Sequence, residues 1–126
     1  MSAEQPLFLN RRSTINCRGH LIDTSIPKVM AIIMITPGSR FRVDRDIIKR
    51  VEDVIEEGGD MVDVGAYSTR PGADELSEQE ELDRILPALT LIRKKYPDLI
   101  VSVDTFRSNI ARSLVKEGLT DIINDV

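Results

Sequence analysis

The sequence predicts an α/β fold, half of a TIM (β/α)8 barrel: four parallel strands with three helices, preceded by an N-terminal β-hairpin. Three observations predict it. Short uninterrupted apolar runs alternate with segments whose apolar residues recur at helical spacing, the pattern of buried parallel strands joined by right-handed crossovers. No Gly-x-Gly-x-x-Gly follows the first core strand and no Gly-Lys-Ser/Thr loop occurs, so the two commonest nucleotide-binding open sheets lack their signatures. A full barrel takes about 250 residues, whereas these 126 residues reach only a fourth strand.

Residues 1–12 have no periodicity and read as a flexible N-terminal arm. Residues 13–126 read as one domain, with a hairpin over 13–23 and a βαβαβαβ succession over 29–126. In the hairpin, Ser13 to Cys17 and His20 to Asp23 flank Arg18-Gly19, and Gly at the second turn position suits a tight two-residue connection. Such a hairpin could plug one end of a larger sheet. Val29 to Ile35 is apolar throughout and bounded by Pro27 and Pro37, as a strand buried on both faces requires. Ile47, Ile48, Val51, Val54 and Ile55 then trace a helical stripe ending at Gly58-Gly59. Met61 to Val64 is the second strand. Ser77 stands three residues before Glu80, the capping-box spacing, and opens a helix with Leu82, Ile85, Leu86, Leu89 and Ile92 on its apolar face. Pro87 inside that pattern is expected to kink it, and Pro97 closes it. Leu99 to Val103 is the third strand, Ser108 to Glu117 the third helix, ending at Gly118, and Asp121 to Val126 the fourth strand.

Composition excludes several classes. The net charge of −4 arises from intermixed signs and implies neither a nucleic-acid nor a membrane surface. No apolar run approaches the roughly 18 residues that span a bilayer, and acidic Glu4 in a segment without a long apolar core is unlike a secretory signal. The cytoplasm is the expected location. Cys17 is the sole cysteine, so no disulfide framework exists, and a buried thiol is its ordinary reading. His20, also alone, reads as structural or exposed.

Chemistry concentrates where the strands end, because parallel α/β folds collect function at their C-terminal edges. Asp63 runs into Val-Gly-Ala-Tyr-Ser-Thr-Arg-Pro-Gly-Ala73, whose backbone N–H groups, Ser68 and Thr69 hydroxyls and Arg70 suit a phosphate or pyrophosphate. Arg-Pro-Gly is also ordinary turn chemistry, and a plain connector is the competing reading. Alternation puts Met61 on one face with Asp63, Ser102 with Asp104, and Ile122 with Asn124. Two carboxylates and an amide converging there would suit an aminated heterocycle such as a pterin. Against that, Asp104 and Asp125 could simply cap following helices.

The ordered segments Met30-Ala-Ile-Ile-Met-Ile-Thr-Pro37, Asp63 to Ala73, Ser102-Val-Asp-Thr105 and Ile122-Ile-Asn-Asp-Val126 resemble dihydropteroate synthase over nearly the whole chain. The resemblance implies a TIM barrel that joins a pterin methyl pyrophosphate to p-aminobenzoate, with sulfonamides competing for the aminobenzoate site and Mg2+ assisting. It places Asp63, Asp104 and Asn124 in the pterin pocket and Ser68, Thr69, Arg70 and Pro71 on the loop near pyrophosphate and aminobenzoate. No protein nucleophile is implied.

Three departures from that family stand out. Met34 occupies the position of an Asn that helps bind magnesium and pyrophosphate, and a thioether is a poor ligand for a hard cation. Thr36-Pro37 runs into Gly38-Ser39-Arg40-Phe41 rather than Asp-Ser-Phe and a longer loop. The later strands, with a further Asp, a Lys segment and an Arg-x-His anion site, are absent. The expectation is therefore a pterin-binding half-barrel without bound metal, inactive by itself, that dimerises through sheet edges 29–35 and 121–126. Alternatives are a ligand-free self-assembling scaffold, an active synthase completed by a second chain, or a pterin-binding methyltransferase domain, which Ser68 to Gly72 disfavours.

Overall fold

The computed structural model describes residues 13–35, 43–66 and 76–125. The expected arm over 1–12 and the loop residues Ser68, Thr69, Arg70 and Pro71 lie outside them, as does Val126. The hairpin is β1 (Thr14–Cys17) and β2 (His20–Asp23), and β3 (Met30–Met34), α1 (Val43–Glu56), β4 (Met61–Gly65), α2 (Glu78–Lys95), β5 (Ile100–Asp104), α3 (Ser108–Lys116) and β6 (Ile122–Asn124) follow. The four long-range strands form one sheet in the order β3-β4-β5-β6, every pair parallel. This is the expected half-barrel winding.

One face of the sheet is sealed by helices. Ile33, Ile35, Val62, Val64, Val101 and Val103 point toward Ile47, Val51, Ile85, Leu89, Ile92, Ile110 and Leu114, and all are buried. Each such side chain contributes about 1.5–3 kcal/mol when fully buried, so this layer carries most of the apolar stabilisation. The capping box at the start of α2 forms as its spacing implies: the Glu80 N–H donates to Ser77 Oγ at 3.1 Å. The kink expected at Pro87 is not a break, since α2 continues from Glu78 to Lys95. Pro87 is exposed, so the carbonyl that loses its partner can turn to water.

The hairpin turn explains how the opposite face is closed at its lower end. Cys17 pairs with His20 across a two-residue connection in which Arg18 and Gly19 both take positive φ, 53° and 86°, as the right-handed strand twist demands. Glycine adopts that conformation freely, whereas Arg18 does so at a cost. Its side chain is held in return: Nε donates to Asp121 Oδ1 and Nη2 to the Pro97 carbonyl at 3.0 Å. Buried Cys17, with Ile22, packs on Met61, Ile100 and Ile122, which makes the hairpin the plug expected of it. His20 is exposed and lies 3.6 Å from Asp98. No helix among the described residues is long and apolar enough to cross a membrane.

Candidate functional site

Strand register sets the inner face, opposite the helices, in rows. Met30, Met61 and Ile100 form the lowest; Ile32, Asp63, Ser102 and Ile122 the middle; Met34, Gly65, Asp104 and Asn124 the upper, at the C-terminal strand ends. The three polar residues expected to share a face therefore do so, because parallel pairing in register preserves the alternation of each strand.

Asp63 is 4% exposed. Its Oδ2 accepts from Asn124 Nδ2 at 3.3 Å, a contact that reaches past the intervening strand over Ser102. A serine there is small enough to be crossed. Asp63 Oδ1 and Ser102 Oγ are both buried and have no hydrogen-bond partner among the described residues. Desolvated polar atoms left unpaired cost about 1–3 kcal/mol each, so a ligand bringing N–H or C=O groups to them recovers that free energy.

Asp104 stands beside this pair, partly buried. Burial, then the neighbouring Asp63 and Asp125 carboxylates, push its own carboxyl above the usual range. Asp104 is not a helix cap: the residue flanking α3 is Arg107, which makes no side-chain cap bond. Gly65 separates it from Met34. A Cβ built on Gly65 would stand 3.3 Å from Asp104 Cβ and 3.5 Å from the Met34 methyl, so the absent side chain is what lets thioether and carboxylate approach across β4.

Among the described residues, magnesium finds no matching donor set. The end of β3 offers the Met34 thioether rather than an oxygen, and among the described residues no three His, Cys, Asp or Glu side chains come together to hold a metal ion. The arrangement is suited instead to a flat heterocycle, whose N–H groups a carboxylate accepts and whose ring edge an amide can both donate to and accept from.

Sequence reasoning named Asp63, Asp104, Asn124, Ser102 and Met34, but assigned no role to Gly65 or to buried Glu81 and its partner Arg107. The signal for Glu81 was present. It falls four residues before Ile85 and eight before Leu89, on the apolar stripe of its helix.

Residues 30–126 match the family described as pterin binding enzyme. The chain is 39% identical over 111 residues to a dihydropteroate synthase of Haemophilus influenzae, covering 83% of this chain and 39% of the relative. Among solved structures, 7,8-dihydropteroate synthase from Vibrio fischeri superposes with a TM-score of 0.79 at 35% identity, covering 90% of this chain and 40% of the other. The Burkholderia cenocepacia dihydropteroate synthase complexed with 7,8-dihydropteroate gives 0.75 at 32%, with coverage of 90% and 38%. The chain thus spans about two-fifths of the length of these relatives, and over that span it belongs to the pterin-binding enzymes as a dihydropteroate synthase-like domain.

Proposed function

We propose that this chain binds a pterin ring at Asp63, Asp104 and Asn124 and does not by itself catalyse the condensation of a pterin methyl pyrophosphate with p-aminobenzoate. The observation that carries the reading is the pair of buried atoms without a hydrogen-bond partner among the described residues, Asp63 Oδ1 and Ser102 Oγ, beside an Asn124 amide already oriented by Asp63. A 2-amino-4-oxo pyrimidine edge offers adjacent N–H donors to a carboxylate and a carbonyl to an amide. Ser68, Thr69, Arg70 and Pro71 are proposed to meet the pyrophosphate and aminobenzoate groups, by their sequence alone. The chemistry needs positioning and charge stabilisation rather than a nucleophile. Fluorescence titration with 6-hydroxymethylpterin tests the binding. Saturable binding that Asp63→Asn weakens by at least tenfold supports it; binding unchanged in Asp63→Asn removes it.

A second copy of the chain is proposed to complete the inner face. Ile32 is 71% exposed and Val29 58%, both at the β3 edge, where the sheet has no neighbour among the described residues. Pairing β3 of each copy with β6 of the other would keep all strands parallel and cover Met30, Ile32 and Met34. Light scattering giving a monomer mass at micromolar concentration excludes it.

A further inference from the structure

Helix α2 buries a charge where its stripe should be apolar. Glu81 is 0% exposed, in line with buried Ile85, Ala88, Leu89 and Ile92. Its Oε2 accepts from Thr105 Oγ1 at 2.9 Å, and Thr105 is the residue that follows Asp104. The same hydroxyl accepts from the Arg107 backbone N–H at 3.2 Å, and the Thr105 backbone N–H donates to the Asn124 carbonyl at 3.2 Å. Arg107 completes the cluster. Its Nη1 lies 3.7 Å from Glu81 Oε1, outside hydrogen-bond geometry, while Nη2 donates to the Leu76 carbonyl. One carboxylate thereby holds the ends of β5 and β6 against the first turn of α2.

Stability does not account for an acid at this position. A buried ion pair returns little net free energy, and an apolar side chain of similar size commonly matches or exceeds it. Burial pushes the Glu81 carboxyl up, against the opposing pull of the Thr105 hydroxyl and the Arg107 charge. The direction of that shift means that Thr105 and Arg107 do not fully offset the cost of burying the carboxyl. What it supplies is a directed acceptor for Thr105, which a leucine or methionine lacks.

We propose that Glu81 is a positioning residue for the pterin site, acting through Thr105 to set the spacing of the β5 and β6 strand ends and hence the orientation of Asp104 and Asn124 toward the ligand. Arg107 steers the Glu81 carboxylate and ties it to the start of α2 at Leu76. The inference rests on the pterin-binding reading of the site, and it extends that reading to residues that touch no ligand.

The test compares the wild-type chain, Glu81→Gln, Thr105→Val and Thr105→Ser by thermal melting, titration with 6-hydroxymethylpterin, and the NMR signal of the Asn124 side-chain amide. Glu81→Gln is expected to melt within about 4 °C of wild type, a change of about 1 kcal/mol, yet to weaken pterin binding about tenfold, the lower end of the range seen when the outer partners that orient metal-ligating side chains are lost. Thr105→Val should weaken binding similarly and displace the Asn124 amide signal, with Thr105→Ser restoring both. A purely structural residue would lower melting temperature and affinity together and would not be rescued selectively. Wild-type affinity in both Glu81→Gln and Thr105→Val overturns the proposal. If Glu81→Gln does not fold, the Val and Ser pair decides it. If the wild-type chain binds no pterin, the functional reading fails instead, and the positioning claim stands or falls on whether Glu81→Gln or Thr105→Val moves the Asn124 amide.

Discussion

Replacing Asp121 is expected to cost more stability than any other single change at a polar residue below the site. Its side chain is 0% exposed and accepts three bonds: from Arg18 Nε, from Arg93 Nη2 at 3.1 Å and from the Val101 N–H at 2.9 Å. Asp121→Ala leaves two guanidinium groups facing each other without a counter-charge and a strand N–H without its acceptor. Removing one partner of a buried pair costs about 3–5 kcal/mol, against a total of about 5–15 kcal/mol for a domain. At about 4 °C per kcal/mol for a chain of this size, the melting temperature should fall by roughly 12–20 °C. Asp121→Asn keeps an acceptor for Val101 and should fall between. Asp98→Asn, whose exposed carboxylate lies 3.6 Å from His20, serves as control, with a change within about 0.5 kcal/mol. Desolvation, the largest single influence on Asp121, pushes its carboxyl up, but the Val101 N–H and the two arginines outweigh it and hold it below the usual range. A depressed folded pKa means stabilisation present above the unfolded value of about 3.9 and lost as pH falls through the folded one. The acid limb of a urea-melt series should therefore be shallower in Asp121→Asn. An Asp121→Ala protein within about 1 kcal/mol of wild type would refute the reasoning.

Three further outcomes are expected. Gly65→Ala should leave the melting temperature nearly unchanged but weaken pterin binding, because its Cβ would stand 3.3 Å from that of Asp104 and push the carboxylate aside; equal affinity by titration would show that the space is not used. Ile32→Asp should abolish dimers in light scattering while leaving a folded monomer, since Ile32 is exposed within one chain and lies in register with Asp63 rather than in the helix-side core. Because Asp104 is pushed above the usual carboxylate range, pterin affinity should fall with decreasing pH before ordinary carboxylates titrate, and Asp104→Asn should flatten that limb.

The elements were legible wherever local rules decide them. Val29 to Ile35 read as a strand and Ser77-x-x-Glu80 as a helix start because apolar runs and caps act within a few residues, but the expected burial of that strand on both faces does not hold: its helix-side Ile33 is buried while Ile32, on the inner face, is 71% exposed. At Pro87 the sequence shows the missing N–H but not that the helix exposes that side to water and continues to Lys95. The face shared by Asp63, Asp104 and Asn124 followed from alternation, but their mutual geometry did not. Whether Asp104 capped a helix or faced the pocket depended on where α3 begins, at Ser108 rather than directly after Asp104. The position of Glu81 on the apolar stripe was visible, but its partner was not: a glutamate in the first turn of a helix also suits the dipole, and the Thr105 hydroxyl it accepts from is 24 residues away.

The most direct test is an NMR titration of the isotope-labelled chain with 6-hydroxymethylpterin, followed residue by residue. The expected result is saturable shifts at Asp63, Ser102, Asp104 and the Asn124 side-chain amide, with the outward face of α2 at Glu78 and Asp83 unmoved. Shifts confined to the groove between α2 and α3 lined by Gln79, Asn109 and Ser113, or no saturable shift at all, would contradict a pterin site on the inner face.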